Sequence, residues 1–345
     1  MRVGMYYANK DVRVEERPLP KIGPDELLVR VEASGICGTD VVEWYRRDKV
    51  PLVLGHEIAG EVVDAGGDVN QYKQGDRISV SHHVPCGECH YCLSDHHSVC
   101  ETLRKTSFDP GGFSEFIRIP AVNIEKGGVY KLPDEVSFEE ATFVEPLACV
   151  VHGQRLSWKR SSPGQSVLVI GSGLSGLLHI QLARLKGFGK IIATDINDYR
   201  LKQALRFGAH EVIHAKEDVP GKVKELNGGR LADFVILCTG APSAIGQAFE
   251  SLDRGGVILV FASTEEGLKF SLPVNEFFWR GERTIVSSYA ANPREHREAL
   301  KLIKDKKVTV KDMITHRFGI KDIQKGFNLV RDAGESIKVI IEPQK

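Results

Sequence analysis

The hydrophobic and polar positions follow two different patterns along the chain. In the N-terminal part, short stretches such as 27–31 and 58–63 alternate apolar and polar residues and are separated by Gly, Pro and Asp turns. A period of two residues is typical of strands with one buried face. The N-terminal part is therefore predicted to be rich in β-strands.

From Ser166 onward, apolar runs alternate with amphipathic helical patterns. The predicted strands of this region are 167–170, 191–194, 211–214, 234–238, 257–261 and 284–286. Strands that alternate with helices favour a doubly wound parallel sheet, here a six-stranded one. An amphipathic helix at 293–305 and an apolar strand at 337–341 follow, and we assign both to the same domain as the N-terminal part.

The charges of the chain cancel, because 46 Lys and Arg residues are balanced by 46 Asp and Glu residues. No broad positive surface for phosphate backbones is expected, so nucleic acid is not an expected partner. The most apolar stretch, 167–180, is broken by Gly and Ser and is shorter than the roughly 20 residues of a membrane span, so no membrane partner is expected. The N-terminal residues lack the pattern of a secretory signal, and a cytoplasmic location is expected.

Four of the seven cysteines follow a C-x2-C-x2-C-x7-C pattern, at Cys86, Cys89, Cys92 and Cys100. In a reducing compartment this spacing indicates metal rather than disulfides. Four thiolates fill every position around a tetrahedral zinc ion, so the predicted site is closed and structural. An iron–sulfur cluster or chance clustering are the alternatives, and the tight loop without a flanking cluster motif weakens both.

Several histidines accompany the cysteines within the predicted zinc lobe, 82–104. We interpret them as solvated or supporting groups rather than as ligands. They are His82, His83, His90, His96 and His97.

A glycine-rich segment, GSGLSG, follows the predicted strand 167–170 and precedes a predicted helix at 177–186. Glycine permits the tight turn and the close approach of a pyrophosphate, and the helix N-terminus favours its negative charge. The predicted coenzyme-binding residues of this segment are Gly171, Gly173, Leu174, Ser175 and Gly176.

An acidic residue, Asp195, ends the next predicted strand. A carboxylate at this position can accept hydrogen bonds from both ribose hydroxyls and repels the 2′-phosphate of NADP, so the pattern predicts NAD. Two readings compete with this one: Asp195 could cap the predicted helix 199–207, and Arg200 could soften the repulsion of a phosphate.

Two further motifs lie upstream: GICGTD at 35–40 and GHE-x2-G-x5-G-x2-V at 55–69. With the cysteine lobe, they resemble the zinc-containing medium-chain dehydrogenases, in their polyol branch, and the resemblance extends over 3–341. It implies an α/β fold with a β-rich GroES-like catalytic domain, 1–148 and 287–345, and a Rossmann domain, 149–286. It also implies zinc-dependent oxidation of a secondary alcohol or polyol with hydride transfer to NAD, and assembly as a homotetramer.

The resemblance further implies a catalytic zinc ion, which makes two zinc ions per chain. Its ligands would be Cys37 and His56, with Glu57 as a nearby carboxylate, and Glu145 where the alcohol branch has a Cys. A thiolate, an imidazole and a carboxylate leave one position open for a substrate hydroxyl. Glu145 could instead bind through water or be a solvated acid at a helix start, and Cys149 is a rival ligand.

The same resemblance assigns a proton relay to Thr39, which is otherwise a turn residue. Many relatives continue the relay with a His three residues later, but this chain has Val42, so water, Glu43 or Glu57 could complete it. Cys238 and Thr239 resemble the loop that meets the nicotinamide.

Two other functions stay open from the sequence: a non-catalytic NAD-sensing zinc protein, and a zinc-free quinone or enone reductase of the same superfamily. The presence of both metal motifs disfavours them. Among substrates, sorbitol is disfavoured because Ser288 and Tyr289 replace an expected Arg and Tyr. A run of cations at Arg46, Arg47 and Lys49 is either solvated or meets an anionic substrate.

Overall fold

The computed structural model describes residues 1–158 and 164–345. These residues form two compact units: unit 1 is Met1–Ala148 together with Ala290–Lys345, and unit 2 is Cys149–Tyr289. The first crossing between the units lies within a helix, after Ala148. Every helix in the described ranges is too short or too polar to cross a membrane.

Strands form the frame of both units. In chain order the strands are β1 (Arg2–Ala8), β2 (Asp11–Glu16), β3 (Leu27–Gly35), β4 (Leu52–Val53), β5 (Glu57–Ala65), β6 (Arg77–Val80), β7 (Phe116–Ile119), β8 (Val129–Lys131), β9 (Ser166–Ile170), β10 (Lys190–Asp195), β11 (Glu211–His214), β12 (Ala232–Leu237), β13 (Leu252–Val260), β14 (Thr284–Ser287), β15 (Ile314–Gly319) and β16 (Lys338–Glu342).

Helices cover these strands or connect them. The α-helices are α1 (Glu43–Arg46), α2 (His90–Leu93), α3 (Glu101–Lys105), α4 (Ala121–Glu125), α5 (Phe138–Ala141), α6 (Val144–Ser157), α7 (Leu174–Leu185), α8 (Asp198–Arg206), α9 (Val219–Leu226), α10 (Pro242–Glu250), α11 (Pro293–Lys304) and α12 (Ile323–Asp332). Short 3-10 turns lie at Gly38–Val41, His97–Val99, Lys311–Met313 and Ile320–Asp322, and a π-helical turn lies at Asn275–Trp279.

The main sheet of unit 1 has the strand order β15-β16-β3-β5-β6-β8, with β7 also paired to β3. Strand β3 is central and antiparallel to β5, β7 and β16. Its residues Leu27, Val29 and Val31 are fully buried in the core of this unit. At the other end of β3, Gly35 lies opposite Glu57 of β5 and Ile340 of β16. The first motif, the second motif and the C-terminal strand therefore meet at one end of the sheet.

The sheet of unit 2 has the order β11-β10-β9-β12-β13-β14, and its neighbouring strands are parallel. This confirms the predicted six-stranded parallel sheet. The connections reverse direction between β9 and β12, and doubly wound sheets bind ligands at the carboxyl ends of the strands at such a point. The glycine-rich segment follows β9 at this point.

Candidate active site

Cys37 follows β3 and caps a single 3-10 turn. Its Sγ accepts hydrogen bonds from the backbone N–H of Thr39 at 3.5 Å and from the Thr39 hydroxyl at 3.2 Å. Its own backbone N–H donates to Asp40 Oδ2 at 3.0 Å, which completes a reciprocal capping box. The GICGTD motif thus fixes the sulfur at a turn, and the Thr39 hydroxyl lies directly beside it.

His56 lies between the sharp turn at Gly55 and strand β5. Gly55 has φ +94°, and a Cβ there would approach the backbone nitrogen of Phe113 to 2.7 Å, so glycine is required. The His56 ring nitrogen Nδ1 lies 3.5 Å from Asp40 Oδ1. Burial alone would lower the pKa of His56, but the negative charge of Asp40 and the neighbouring Cys37 hold it well above its usual value. This position therefore favours a positive charge.

Asp40 is fully buried and contacts both Cys37 and His56. Burial would raise the pKa of this carboxyl, but the His56 ring, the Arg46 guanidinium and the Cys37 N–H hold it below its usual range. Asp40 belongs to the GICGTD motif, but its position in the sequence alone does not predict these contacts.

Glu57, the first residue of β5, has a side chain with no exposed surface. Its Oε2 accepts a hydrogen bond from Nζ of Lys338, which is equally buried. Its other oxygen, Oε1, has no hydrogen-bond partner among the described residues. One ligand atom each from Cys37, His56 and Glu57 lie within 4.8 Å of one another. A thiol, an imidazole and a carboxylate with an unused oxygen at these distances fit a zinc ion.

Glu145 lies in the first turn of α6 and is partly buried. It belongs to the same unit as Cys37 and His56 but is not part of the described group whose ligand atoms lie within 4.8 Å. Cys149 lies one turn further along α6 and is also partly buried. The ligand role of Glu145 stays a prediction.

The half-buried ring of His82 packs against the ring of His56, with ring centroids 4.9 Å apart. The ring of His83 also packs against His82, with ring centroids 3.8 Å apart, and the Asn123 side-chain amide donates a 3.2 Å hydrogen bond to the His82 carbonyl. The Nδ1 atom of His82 is buried without a hydrogen-bond partner in the described part of the chain. The sequence predicts a solvated or supporting role for His82 in the zinc lobe, whereas the structure places its ring next to the predicted zinc ligand His56.

The four clustered cysteines converge in a second group of unit 1. Their Sγ atoms lie within 4.8 Å of one another, and Cys92 and Cys100 are buried. The Sγ of Cys86 accepts backbone N–H bonds from Glu88 and Cys89 at 3.5 and 3.3 Å. The four clustered cysteines are not joined by disulfide bonds. Four sulfurs at this spacing fit a closed tetrahedral zinc site.

In unit 2, the glycine-rich segment forms the turn from β9 into α7. Gly171 has φ +93°, and a Cβ on Gly176 would collide with the Gly171 carbonyl oxygen. Gly173 is the N-cap of α7 and provides no side chain to its open N–H groups, while Leu174 and Ser175 are the first residues of the helix. The turn therefore leaves backbone donors available for a phosphate.

Asp195 is the last residue of β10 and is 7% exposed. Its carboxylate accepts the N–H of Ser172 at 2.8 Å and the N–H of Asn197 at 2.9 Å. The alternative of a helix cap is not what the structure shows, because Asn197 caps α8 with its own side chain. Asp195 therefore links the glycine-rich turn to the end of β10, where the coenzyme ribose is predicted.

Three other predicted coenzyme residues lie near the same turn. The Arg200 guanidinium is 3.7 Å from the place of a Cβ on Gly173, and the Cys238 carbonyl and Thr239 Cβ are 3.2 and 3.3 Å from that of Gly171. The structure thus brings the predicted nucleotide-binding residues together within unit 2.

The comparisons with known proteins agree with this geometry. Residues 23–134 match the alcohol dehydrogenase GroES-like domain, and residues 176–305 match the zinc-binding dehydrogenase family. The L-threonine 3-dehydrogenase of Bacillus licheniformis is 34% identical over 94% of both chains.

Two solved structures cover 99% of this chain and 99% of their own. The 2R,3R-butanediol dehydrogenase from Bacillus subtilis has a TM-score of 0.84 and 26% identity. A protein described as a zinc-binding dehydrogenase from Sinorhizobium meliloti 1021, bound to NADP, has a TM-score of 0.86 and 27% identity.

The chain belongs to the zinc-binding dehydrogenases with an alcohol dehydrogenase GroES-like domain. The family, the fold class and the enzyme class predicted from the sequence are confirmed: the protein is an oxidoreductase of the zinc-dependent alcohol dehydrogenase type.

Proposed function

We propose that this protein oxidises a secondary alcohol or polyol to a ketone and transfers the hydride to NAD. The observation that carries the proposal is the group of Cys37, His56 and Glu57, whose ligand atoms lie within 4.8 Å of one another. A purely structural zinc site would be closed, as the four-cysteine group is, whereas this group leaves room for a further ligand.

A zinc ion held by Cys37 and His56, with Glu145 as the proposed third ligand, would supply the Lewis acidity that lowers the pKa of a substrate hydroxyl. Asp40 holds the His56 ring and the Cys37 backbone in place. The Thr39 hydroxyl, 3.2 Å from Cys37 Sγ, is the proposed acceptor of the substrate proton.

Water is the proposed end of the proton relay. Glu43 already accepts the backbone N–H of Asn9 at 3.0 Å, and Glu57 is paired with Lys338 inside unit 1. Neither carboxylate is therefore well placed to take a proton from Thr39. Solvent can do so without disturbing these contacts.

NAD is the proposed coenzyme, because Asp195 offers a carboxylate at the end of β10 where a 2′-phosphate would be repelled. Bound NAD would accept the hydride from the substrate carbon. The glycine-rich turn would hold the pyrophosphate with backbone N–H groups, and Arg200 would contribute positive charge beside Gly173.

The position of His82 favours a substrate that has more than one hydroxyl group. An imidazole beside His56 can form a hydrogen bond with a hydroxyl on the carbon next to the reacting one, which a simple alcohol lacks. The names of the threonine and butanediol relatives refer to substrates with a secondary hydroxyl and an adjacent polar group. We therefore propose a vicinal diol, a related hydroxy compound or a cyclic polyol.

Self-association is proposed to use the free edge of the unit 2 sheet. Strand β14 ends the sheet order of the described residues, and Val274 and Trp279, which precede β14 in the chain, are 64% and 72% exposed. An edge strand and exposed apolar residues are both features that can pair with a second copy. We propose a homotetramer, and a cytoplasmic location in which the thiols of the four clustered cysteines stay reduced.

The test is a panel of substrates and a metal analysis on the purified protein. 2,3-Butanediol, L-threonine, a cyclic polyol, sorbitol and 2-butanol are offered with NAD or NADP, and nicotinamide absorbance is followed. We expect two zinc ions per chain and NAD reduction with a secondary alcohol of this panel. One zinc ion without turnover would instead support a zinc-stabilised binding protein, and no zinc would support a zinc-free reductase.

A further inference from the structure

Arg46 is not the solvated cation that its basic neighbourhood suggests. It ends α1, and its side chain is only 13% exposed. Its Nη2 donates to the Thr39 carbonyl at 3.2 Å and lies 3.6 Å from Asp40 Oδ1. The guanidinium also lies over the Tyr45 ring, 4.8 Å from its centroid. Its side chain is therefore held against the turn that carries Cys37.

Asp40, the partner of Arg46, contacts both predicted zinc ligands, Cys37 and His56. One Asp40 oxygen accepts the Cys37 N–H, and the other faces the His56 ring nitrogen and Arg46. A fully buried carboxylate is costly unless it is hydrogen-bonded and paired with a cation. The described residues place the His56 ring and the Arg46 guanidinium at this carboxylate, and the Arg46 charge is the one that stays when a metal ion takes the place of the His56 proton.

A second buried carboxylate at the site also lies beside a basic side chain. Glu57 is buried and paired with Lys338, as Asp40 is buried and paired with Arg46. Each carboxylate next to a predicted zinc ligand therefore has the side chain of a Lys or an Arg beside it. These two ion pairs add little net charge to the site. The negative charge that balances a zinc ion would then come from the Cys37 thiolate and from the third ligand.

We propose that Arg46 is a positioning residue of the zinc site: by holding the Asp40 carboxylate from one side, it fixes the orientation in which Asp40 supports Cys37 and His56. The Nε atom of Arg46 is buried and has no acceptor in the described residues, so the Thr39 carbonyl and Asp40 provide its polar contacts. The inference rests on the proposed zinc site but not on the identity of the substrate.

The charge of Arg46 and its positioning role have opposite effects on zinc binding, so a measurement of zinc release can distinguish them. Removing a cation near a zinc ion strengthens zinc binding, because the Coulomb repulsion between the two positive charges is lost. Loosening a group that orients a zinc ligand weakens binding or activity, typically by 10- to 100-fold. If Arg46 positions Asp40, Arg46→Met releases zinc faster than the wild type despite the lost cation. If Arg46 acts only as a charge, the variant releases zinc more slowly.

The experiment follows zinc release from the purified holoenzyme to a chromogenic chelator. The four-cysteine site gives a second release phase in every variant and serves as an internal reference. Arg46→Met is compared with Arg46→Lys, which keeps the charge but loses the planar fork, and with the neighbouring control Arg47→Met. We expect about tenfold faster release for Arg46→Met, a smaller increase for Arg46→Lys and no change for Arg47→Met.

A double variant tests whether Arg46 acts through Asp40. In an Asp40→Asn background, Arg46→Met is expected to change zinc release by less than about twofold, because the group it positions is already altered. The visible absorption spectrum of the cobalt-substituted protein should change in Arg46→Met and be partly restored in Arg46→Lys.

Slower release from Arg46→Met, an unchanged cobalt spectrum, or an equal effect of Arg46→Met in both backgrounds would overturn the proposal. These outcomes are distinct from failure of the proposed function. A wild-type protein that binds zinc only at the four cysteines would remove the proposed zinc site itself.

Discussion

Lys338, on the last strand, forms an ion pair with Glu57 in an interior where neither side chain has exposed surface. Gly35 lies opposite Glu57 across β3 and β5, and a Cβ there would come within 2.5 Å of both Glu57 Oε2 and Lys338 Cε. The absence of a side chain at Gly35 therefore creates the space that this pair occupies.

Removing the cation of this pair should be strongly destabilising. We expect Lys338→Met to lower the free energy of unfolding by about 3 to 5 kcal/mol, because Glu57 is left buried without a counter-charge. Denaturant unfolding of the zinc-saturated protein measures this change in the free energy of unfolding. The control Lys345→Met, which removes a surface pair with Glu342, should change little. The double variant with Glu57→Gln should recover part of the loss, and equal stability of Lys338→Met and wild type would refute the argument.

Glu145→Ala should empty the catalytic zinc site if Glu145 is the third ligand. We expect zinc content to fall from two ions per chain to one, and turnover to fall by more than about 100-fold, since ligand loss costs more than loss of an outer partner. Metal analysis and steady-state kinetics measure both. Glu135→Ala, at an exposed loop residue of the same unit, is the control. Full zinc and full turnover in Glu145→Ala would show that Glu145 is not a ligand.

Asp195→Asn should shift the coenzyme preference toward NADP. The substitution removes the negative charge that opposes a 2′-phosphate, while Arg200 remains nearby. We expect the ratio of kcat/KM for NAD over NADP to fall at least roughly tenfold, which corresponds to about 1.4 kcal/mol. Asp198→Asn removes an exposed acid in the first turn of α8 and serves as the control. A ratio that moves equally in both variants would contradict a specific role for Asp195.

His82→Phe should weaken discrimination between a vicinal diol and a simple alcohol. Loss of one net hydrogen bond of about 1 kcal/mol predicts a roughly fivefold fall in kcat/KM for 2,3-butanediol, with little change for 2-butanol. Calorimetric titration of the diol into the zinc enzyme provides a second readout. His90→Phe, on the exposed part of the zinc lobe, is the control. An unchanged ratio of the two substrates would show that His82 does not contact the second hydroxyl.

The buried ring of His179, in the core of unit 2, should make the free energy of unfolding depend on pH. Burial lowers its pKa to about 3, so the ring is neutral in the folded protein near neutral pH. The unfolded chain binds this proton near pH 6.5, and stability is therefore lost as pH falls below 6.5 toward 3, by at most about 1.4 kcal/mol per pH unit. His179→Asn should flatten this acid limb, measured by urea unfolding at several pH values, whereas His90→Asn should not. Parallel curves for His179→Asn and wild type would disprove the assignment.

The sequence predicted the parts of the structure that have local signals. The buried strands of the parallel sheet are continuous apolar runs, and the two metal groups are marked by short-range spacing of Cys and His. Strand β13 begins at Leu252, before the predicted 257, because Asp253, Arg254 and two glycines hide its apolar pattern.

The supporting residues of the site could not be predicted in this way, because their contacts are long-range. Lys338 is a charge at the start of a strand that continues with three apolar residues, and nothing in this pattern identifies Glu57 as its partner. Arg46 lies in a run of cations that usually means a solvated surface. His82 neighbours the cysteine lobe in sequence, and only the pairing of β5 with β6 brings it to His56.

A sequence separation of 281 residues between Glu57 and Lys338 makes this ion pair a late event of folding. Until β16 docks beside β3, Glu57 has no ammonium group to accompany it into a water-free interior, and a carboxylate without its cation is costly to bury. Glu57 is therefore expected to stay hydrated during the early steps of folding, and the predicted metal-binding residues beside it are expected to stay accessible to an ion until the last strand of unit 1 is in place.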